Sequence, residues 1–458
     1  MNILILGAGQ VGTTAAYSLA REESNEVTIV DRNPNVLREL QDRLDVRTVV
    51  GHASYPEVLE RAGAADADMI IALTDSDETN MVACQIAYTL FHTPTKIARI
   101  RAAEYVKRDA LFVPEALPVD VLISPEALVT RHVEQLLHYP GALQVLEFAN
   151  DRIRLVAARA HEGGALVGHP LRELNDHIPN VDTRVVAMYR DGRNIIPDGD
   201  TVVAEDDEVF FLASRKDLRV VLSEMRKLDE PVRRVVIAGG GNIGFRLARA
   251  LEQTNQVKVI ERDYERAREI SERLNKAIVL HGDAADEELL LEENIDSADV
   301  FVAVTNADEA NILSAMLAKR LGAHKVMALI NKPSYAELVE TGTIDVAISP
   351  QQITLGTLLA HVRRGDVVKV HSLRRGAAEA IEAVAHGDEG DSKVVGRPIE
   401  NIRLPPGTTI SAIVRGDRVM MAHHDTVIEA DDHVILFMAD RRQIDEVERL
   451  FQVGVTFV

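Results

Sequence analysis

The sequence predicts an α/β protein built as two tandem units, each a parallel-sheet domain followed by a small α+β domain. Three observations carry that prediction: the chain repeats itself, short apolar runs alternate with helical stretches, and a glycine-rich turn follows the first strand of each repeat. ILILGAGQVG at 3–12 returns as VVIAGGGNIG at 235–244, and VTIVDR at 27–32 as VKVIER at 257–262. VGHAS (50–54) pairs with HGDAA (281–285), and ALTDSDETNMVACQIA (72–87) with AVTNADEANILSAMLA (303–318). ISPEAL (123–128) pairs with ISPQQI (348–353), and DTVVAEDDEVFFLA (200–213) with DTVIEADDHVILFM (425–438). The offset stays between 225 and 232 residues, a register that chance does not hold over such a length.

Within the first repeat, Asn2–Leu6, Val27–Val30, Val46–Val50, Met69–Leu73, Lys96–Ile100 and Val119–Ile123 read as strands. Their nearly continuous apolar composition suits strands covered on both faces, and the alternation with helices implies a doubly wound parallel sheet. For the helix after Leu73, Asp75 with Glu78 fits a reciprocal cap, as does Asn306 with Glu309 in the second repeat. Residues 126–139 form an amphipathic connector ending at Tyr139-Pro140-Gly141, and 351–364 is its counterpart. Turn signals at Arg190-Asp191-Gly192 and Pro197-Asp198-Gly199 punctuate a small strand-rich module. Asp229-Glu230-Pro231 marks the passage to the second unit. The expected domains are 1–124, 142–226, 232–350 and 366–452, with 386–392 a polar loop.

Composition narrows the function. The 458 residues are 46% apolar and 27% charged, an ordinary globular balance. Lysine and arginine number 51 against 72 acids, a net charge of −21 that repels nucleic acid and anionic lipid. Tryptophan is absent, which disfavours base-stacking platforms. No apolar run reaches the roughly 18–20 residues that span a bilayer. The start lacks a basic n-region and a small-residue cleavage site, and Cys84 is the only cysteine, so a cytoplasmic chain without disulfides or thiolate zinc sites is expected.

Each glycine motif has a stated use. Gly7-x-Gly9-x-x-Gly12 follows a strand and opens a helix, and Asp31 ends the next strand; Gly239-x-Gly241-x-x-Gly244 and Glu261 repeat the set. The first glycine permits the turn, the second admits a pyrophosphate to the backbone, and the third lets helix and strand pack closely. The helix N-terminus then offers N–H groups to phosphates, and the acid accepts from ribose hydroxyls. Asp31 and Glu261 repel a 2′-phosphate, which favours NAD over NADP, and an adenosine di- or triphosphate fits as well. Arg99 and Arg101 stand at a strand end where ligands of such sheets bind, whereas the second repeat has Leu329 and Asn331 there. The two sites are therefore expected to differ, the first being better suited to a polyphosphate.

Other residues read as structure. Cys84 sits among small apolar residues of a helix, His423-His424-Asp425 in a turn, and the pairs Arg363-Arg364 and Arg374-Arg375 on solvated faces. His52 has Asp283 as its repeat partner. A hydride-transfer enzyme with a duplicated nucleotide fold is the competing class, but it needs a His, Lys or Tyr acid–base group beside the nicotinamide. Neither repeat shows a compelling set. A nucleotide-dependent transcription factor conflicts with the charge and lacks a helix-turn-helix pattern.

The strings GAGQVG, TDSDETNMVACQIAY, YPGALQV, GGGNIG, AVTNADEANILSAMLAKR, AISPQQ and SLRRGAAEAIEAVAHGDE resemble the TrkA family over essentially the whole chain. These are peripheral nucleotide-binding subunits of bacterial Trk potassium-uptake systems, made of tandem RCK (KTN) units with Rossmann-like N-terminal and small C-terminal domains. The resemblance implies a regulatory, non-enzymatic protein that binds NAD(H) and the adenine nucleotides ATP/ADP. It implies a homotetramer on the cytoplasmic face of the inner membrane, bound to a TrkH- or TrkG-type subunit. By the same resemblance the first site comprises Gly7, Ala8, Gly9, Gln10, Val11, Asp31, Leu73, Thr74 and Arg99. The second comprises Gly239, Gly240, Gly241, Asn242, Ile243, Glu261 and Thr305, with Leu329 in place of the arginine.

Overall fold

The computed structural model describes the chain except residues 23, 196, 228–230, 340–341, 363–365, 374–377 and 453–458. Asp229-Glu230 and the pairs Arg363-Arg364 and Arg374-Arg375 thus lie outside the described residues. Strands β1 (Asn2–Leu6), β2 (Glu26–Asp31), β3 (Arg47–Val50), β4 (Met69–Ala72), β5 (Thr95–Arg99) and β6 (Val121–Ile123) form one parallel sheet, ordered β3-β2-β1-β4-β5-β6. Strands β7 (Ala142–Phe148), β8 (Ile153–Arg159), β9 (Thr183–Arg190), β10 (Arg193–Ile195) and β11 (Glu208–Ser214) form an antiparallel sheet, ordered β10-β9-β11-β8-β7. The second half repeats both. Strands β12 (Arg234–Ala238), β13 (Gln256–Glu261), β14 (Ile278–His281), β15 (Val300–Ala303), β16 (Lys325–Leu329) and β17 (Val346–Ile348) are ordered β14-β13-β12-β15-β16-β17. Strands β18 (Val367–Leu373), β19 (Ala378–Val384), β20 (Thr408–Arg415), β21 (Arg418–Met421) and β22 (His433–Met438) are ordered β18-β19-β22-β20-β21.

The helices that matter for the sites are α1 (Gln10–Leu19), α2 (Asp77–Ile86), α3 (Pro125–His138), α4 (Asn242–Leu251), α5 (Tyr264–Arg273), α6 (Asp308–Arg320) and α7 (Pro350–Val362). The chain forms two compact units. One is Met1–Val129 with Ser349–Leu358; the other is Thr130–Ile348 with Leu359–Val458. In the first, Ile3–Leu6 and Met69–Ala72 are buried on both faces of the sheet, as their unbroken apolar runs require. In the second, the two antiparallel sheets share one core, with Phe148, Leu155 and Phe210 packed together with Leu373, Ile435 and Phe437.

Two local readings are corrected. The helix after β4 is capped by Ser76, whose Oγ accepts from the Thr79 N–H at 3.1 Å, and not by Asp75. In the second half Ala307 occupies that place and supplies no capping side chain, so Asn306 does not cap either. The helices begin at Asp77 and Asp308, which places Ser76 and Ala307 at the N-caps, and both aspartates are buried and committed elsewhere. Asp77 Oδ2 accepts the N–H groups of Arg101 and Ala102, each at 2.8 Å, and Asp308 does the same for Asn331 and Lys332. From the first residue of this helix to the first residue of the next strand, the first repeat is one residue longer than the second (77 to 95 against 308 to 325). The extra residue is absorbed as a π-helical turn, Ala87–Phe91, ending on left-handed His92 (φ 54°).

The small sheets are pinned by an acid that both repeats keep. Asp207 accepts from Arg190 Nε and Nη2 and from the Ala204 N–H; Asp432 accepts from Arg415 Nε and Nη2 and from the Glu429 N–H. Both carboxylates are fully buried. Replacing Asp432 with Ala leaves Arg415 only Glu429 and the Val427 carbonyl and leaves the Glu429 N–H without its acceptor, and is expected to cost about 1–3 kcal/mol. Urea unfolding of the full chain reads this as an earlier transition, and an unshifted one would show the pair to be neutral.

Candidate functional site: two glycine-lined clefts

Strand order reverses at β1 and again at β12, and each reversal opens a crevice at the C-terminal strand ends. The first cleft gathers Gly7, Ala8, Gly9, Gln10, Val11 and Gly12 after β1, Asp31 at the end of β2, Leu73 and Thr74 after β4, and Arg99 at the end of β5. The second gathers Gly239, Gly240, Gly241, Asn242, Ile243 and Gly244 after β12, Glu261 at the end of β13, and Thr305 after β15. The residues assigned to each site from the sequence therefore lie at the C-terminal strand ends of one sheet or in the loops that leave them.

The glycines divide by cause. Gly7 has φ +102°, and a Cβ there would stand 3.0 Å from the Leu73 carbonyl group and the Thr74 N. Gly12 meets the Gly7 carbonyl oxygen so closely that a Cβ would lie 1.9 Å from it, and Gly244 repeats this against Gly239 at 1.8 Å. Those two glycines serve packing. Gly9 and Gly241 differ: a Cβ on either would meet nothing within 4 Å. They begin α1 and α4 without a capping side chain, so the first-turn N–H groups face open space.

The acids are already engaged with the loops. Asp31 Oδ2 accepts the Ala8 N–H at 2.7 Å and Oδ1 the Asn33 N–H at 2.8 Å. Glu261 likewise accepts from Gly240 at 2.6 Å and from Asp263 at 2.8 Å. Each oxygen keeps a lone pair for a further donor such as a ribose hydroxyl. The second cleft carries an addition: Arg266 of α5 donates from Nε to the Gly240 carbonyl at 2.9 Å, where the first repeat has Val36.

Arg99 and Arg101 separate. Arg101 is bound to Asp77 Oδ1 through Nε at 3.3 Å and to the Asp75 carbonyl, a tie between loop and helix. Arg99 pairs through Nη2 with Glu126 Oε1 of α3 at 3.0 Å, while its Nε is buried with no hydrogen-bond partner. A buried, orphaned guanidinium donor at the strand ends fits an anionic ligand.

Two residues escaped the sequence reading. Asn80 Oδ1 accepts from the Thr74 N–H at 3.0 Å and the Thr74 hydroxyl at 2.6 Å, and its Nδ2 donates to the Thr74 and Arg99 carbonyls. Asn311 repeats all four bonds with Thr305 and Leu329. Both are fully buried and tie the β4 and β5 ends, or β15 and β16, into one rim. The clue available in the chain is a Thr and an Asn six positions apart in both repeats, TDSDETN and TNADEAN.

Cys84 and the His423–Asp425 turn have structural surroundings. Cys84 is buried and its thiol is pushed up to about 12 by desolvation, away from reactivity. His423 to Asp425 lie in a turn closed by the Thr426 hydroxyl. Among the described residues no group of three or more His, Cys, Asp or Glu could hold a metal ion.

Known proteins match this chain over its whole length. The TrkA-N domain model matches residues 3–125 and 235–350, and the TrkA-C domain model 155–226 and 389–452. The chain is 61% identical to the Trk system potassium uptake protein TrkA of Halomonas elongata and 59% to that of Vibrio alginolyticus, covering 100% of both partners in each case. Among solved structures, the GsuK RCK domain superposes with TM-score 0.61 at 18% identity, over 98% of this chain and 94% of that one. The GsuK channel bound to NAD gives TM-score 0.61 at 19%, over 98% and 79%.

The two classes of glycine predict opposite costs. Gly12→Ala forces its Cβ onto a carbonyl and is expected to lose about 2–4 kcal/mol of stability. Gly9→Ala enters open space and is expected to change stability by less than about 1 kcal/mol. Thermal melts of the two variants check this, and equal shifts would refute the division.

Proposed function

The chain belongs to the TrkA family, and from that premise we propose that it is the nucleotide-binding regulatory subunit of a Trk-type potassium-uptake system. No helix among the described residues is long and apolar enough to cross a membrane. The subunit would work in the cytoplasm as a homotetrameric ring seated on a TrkH- or TrkG-type potassium-translocating subunit. Its domains are 1–124, 142–226, 232–350 and 366–452. The relatives are named for potassium uptake, not for a reaction, and the role is regulatory rather than enzymatic.

The observation that carries the ligand reading is the pairing of an uncapped helix N-terminus with a strand-end carboxylate in both clefts. NAD(H) fits both, and the GsuK channel, which shares the fold, has been solved bound to NAD. In the first cleft the N–H groups from Gly9 onward would take the phosphates, Asp31 the ribose, and Arg99 a further phosphate. That last group makes ADP and ATP suitable there. In the second, Asn242 and Ile243 would take the phosphates and Glu261 the ribose.

Binding acts through the state it favours. Arg99 links the cleft to Glu126, the second residue of α3, so a phosphate that recruits the guanidinium weakens its hold on that helix. A ligand shifts an equilibrium only by its differential affinity; a tenfold preference amounts to about 1.4 kcal/mol per site. Several sites coupled in a ring multiply the effect.

Gly9→Val places a branched side chain where the pyrophosphate would lie and is expected to abolish first-site binding with the fold intact. Calorimetry with NADH and ATP tests this, and unchanged affinity would refute the site. Arg99→Ala is expected to weaken ATP by about tenfold or more while sparing adenosine; equal losses would make Arg99 structural. Native mass spectrometry with NADH, ADP and ATP reads subunit count and ligand stoichiometry together.

A further inference from the structure

Residues Ser349–Leu358 belong to the compact unit of the first parallel sheet although they come from the second half of the chain. Gln351, near the start of α7, is buried there at 5% exposure. Its Nε2 donates to Gln10 Oε1 at 3.4 Å, and its Oε1 accepts from the Ser349 hydroxyl at 2.9 Å. Gln10 is the exposed first residue of α1, next to Gly9 and the open space where the N–H groups point. The repeat register adds meaning: ISPEAL aligned with ISPQQI makes Gln351 the counterpart of Glu126. The two equivalent positions of the tandem thus converge on one cleft, Glu126 through Arg99 and Gln351 through Gln10.

We infer that Gln351 is a ligand-binding residue of the first cleft, donating its side-chain amide N–H to a phosphate oxygen of the bound nucleotide. The inference rests on the first cleft being a nucleotide site. Two physical points support it. The bond to Gln10 is at the long end for a hydrogen bond, and a charged acceptor outcompetes a neutral amide oxygen. The charge pattern also fits. The carboxylate at position 126 is paired with Arg99, and the residue at the equivalent position 351 is a neutral amide. An acid there would oppose the phosphates, whereas an amide donates to them.

The test uses the full-length chain carrying Gly241→Val, so that heat reports the first cleft. ATP, ADP and adenosine are titrated by calorimetry into this parent and into the same chain with Gln351→Glu or Gln351→Leu. Q351E is expected to weaken ATP by more than about tenfold, ADP by less, and adenosine hardly at all. Gln351→Leu removes the donor without adding charge and is expected to weaken ATP by several-fold, again sparing adenosine. Adenosine binding doubles as the check that each variant is folded. ATP affinity within twofold of the parent in both variants, or equal losses for ATP and adenosine, overturns the role of Gln351. A parent that binds no adenine nucleotide overturns the first-cleft reading itself and the inference with it.

Discussion

Reversal of strand order at β1 and β12 is the constraint on which the rest depends. It separates the loops that leave neighbouring strands and exposes backbone groups that no sheet ladder can satisfy. Side chains from elsewhere must take them up. Asp31 and Glu261 hold the glycine loops, Asn80 and Asn311 hold the loops after the fourth strands, and Asp77 and Asp308 hold those after the fifth. Six buried or half-buried polar residues thereby fix two rims. Within each rim the helix N–H groups beside Gly9 and Gly241 are what remains open to a ligand.

The frame is shared by both halves, and the differences lie in what surrounds it. Arg99 has Leu329 as its counterpart, and Val36 has Arg266, which lies on the glycine loop of the second cleft instead of at its far strand. His52 stacks on Tyr55 with centroids 4.6 Å apart beside the first cleft; beside the second, His281 meets Tyr264 edge-on at 5.4 Å. These rings come from non-equivalent positions. A common backbone rim with unlike side chains suits two sites that select differently, and the second lacks the strand-end arginine that the first carries.

What the chain disclosed in advance was whatever depends on neighbours in sequence. Apolar runs placed the strands of the first sheet to within two residues, and the glycine spacing located both clefts, because turn geometry and strand burial are local demands. The roles of Asn80 and Asp77 were not legible, since each acts on a loop about twenty residues away. The misplaced cap has a local reason: the helix begins at Asp77, one residue later than a cap at Asp75 requires, so Ser76 closes it. The π-helical turn at Ala87–Phe91 follows from a one-residue difference visible only when the two repeats are compared. Gln351 is the extreme case, meeting Gln10 across 341 positions.

That longest contact bears on why two units share one chain. Two copies of a single unit must carry the same residue at every equivalent position, so a site reached by both would have two acids or two amides. A tandem is released from that identity. Here the equivalent positions hold Glu126, neutralised by Arg99, and Gln351, which carries no charge. Two uncompensated carboxylates near a polyphosphate would repel it and each other, while two amides would give Arg99 no partner in the absence of ligand. One of each holds the guanidinium in place through Glu126 and, on the proposed reading, would add a donor when the cleft is filled. Fusion therefore does more than fix stoichiometry: it allows a site with unequal arms, and on the proposed reading one would yield Arg99 to the ligand while the other meets the ligand directly.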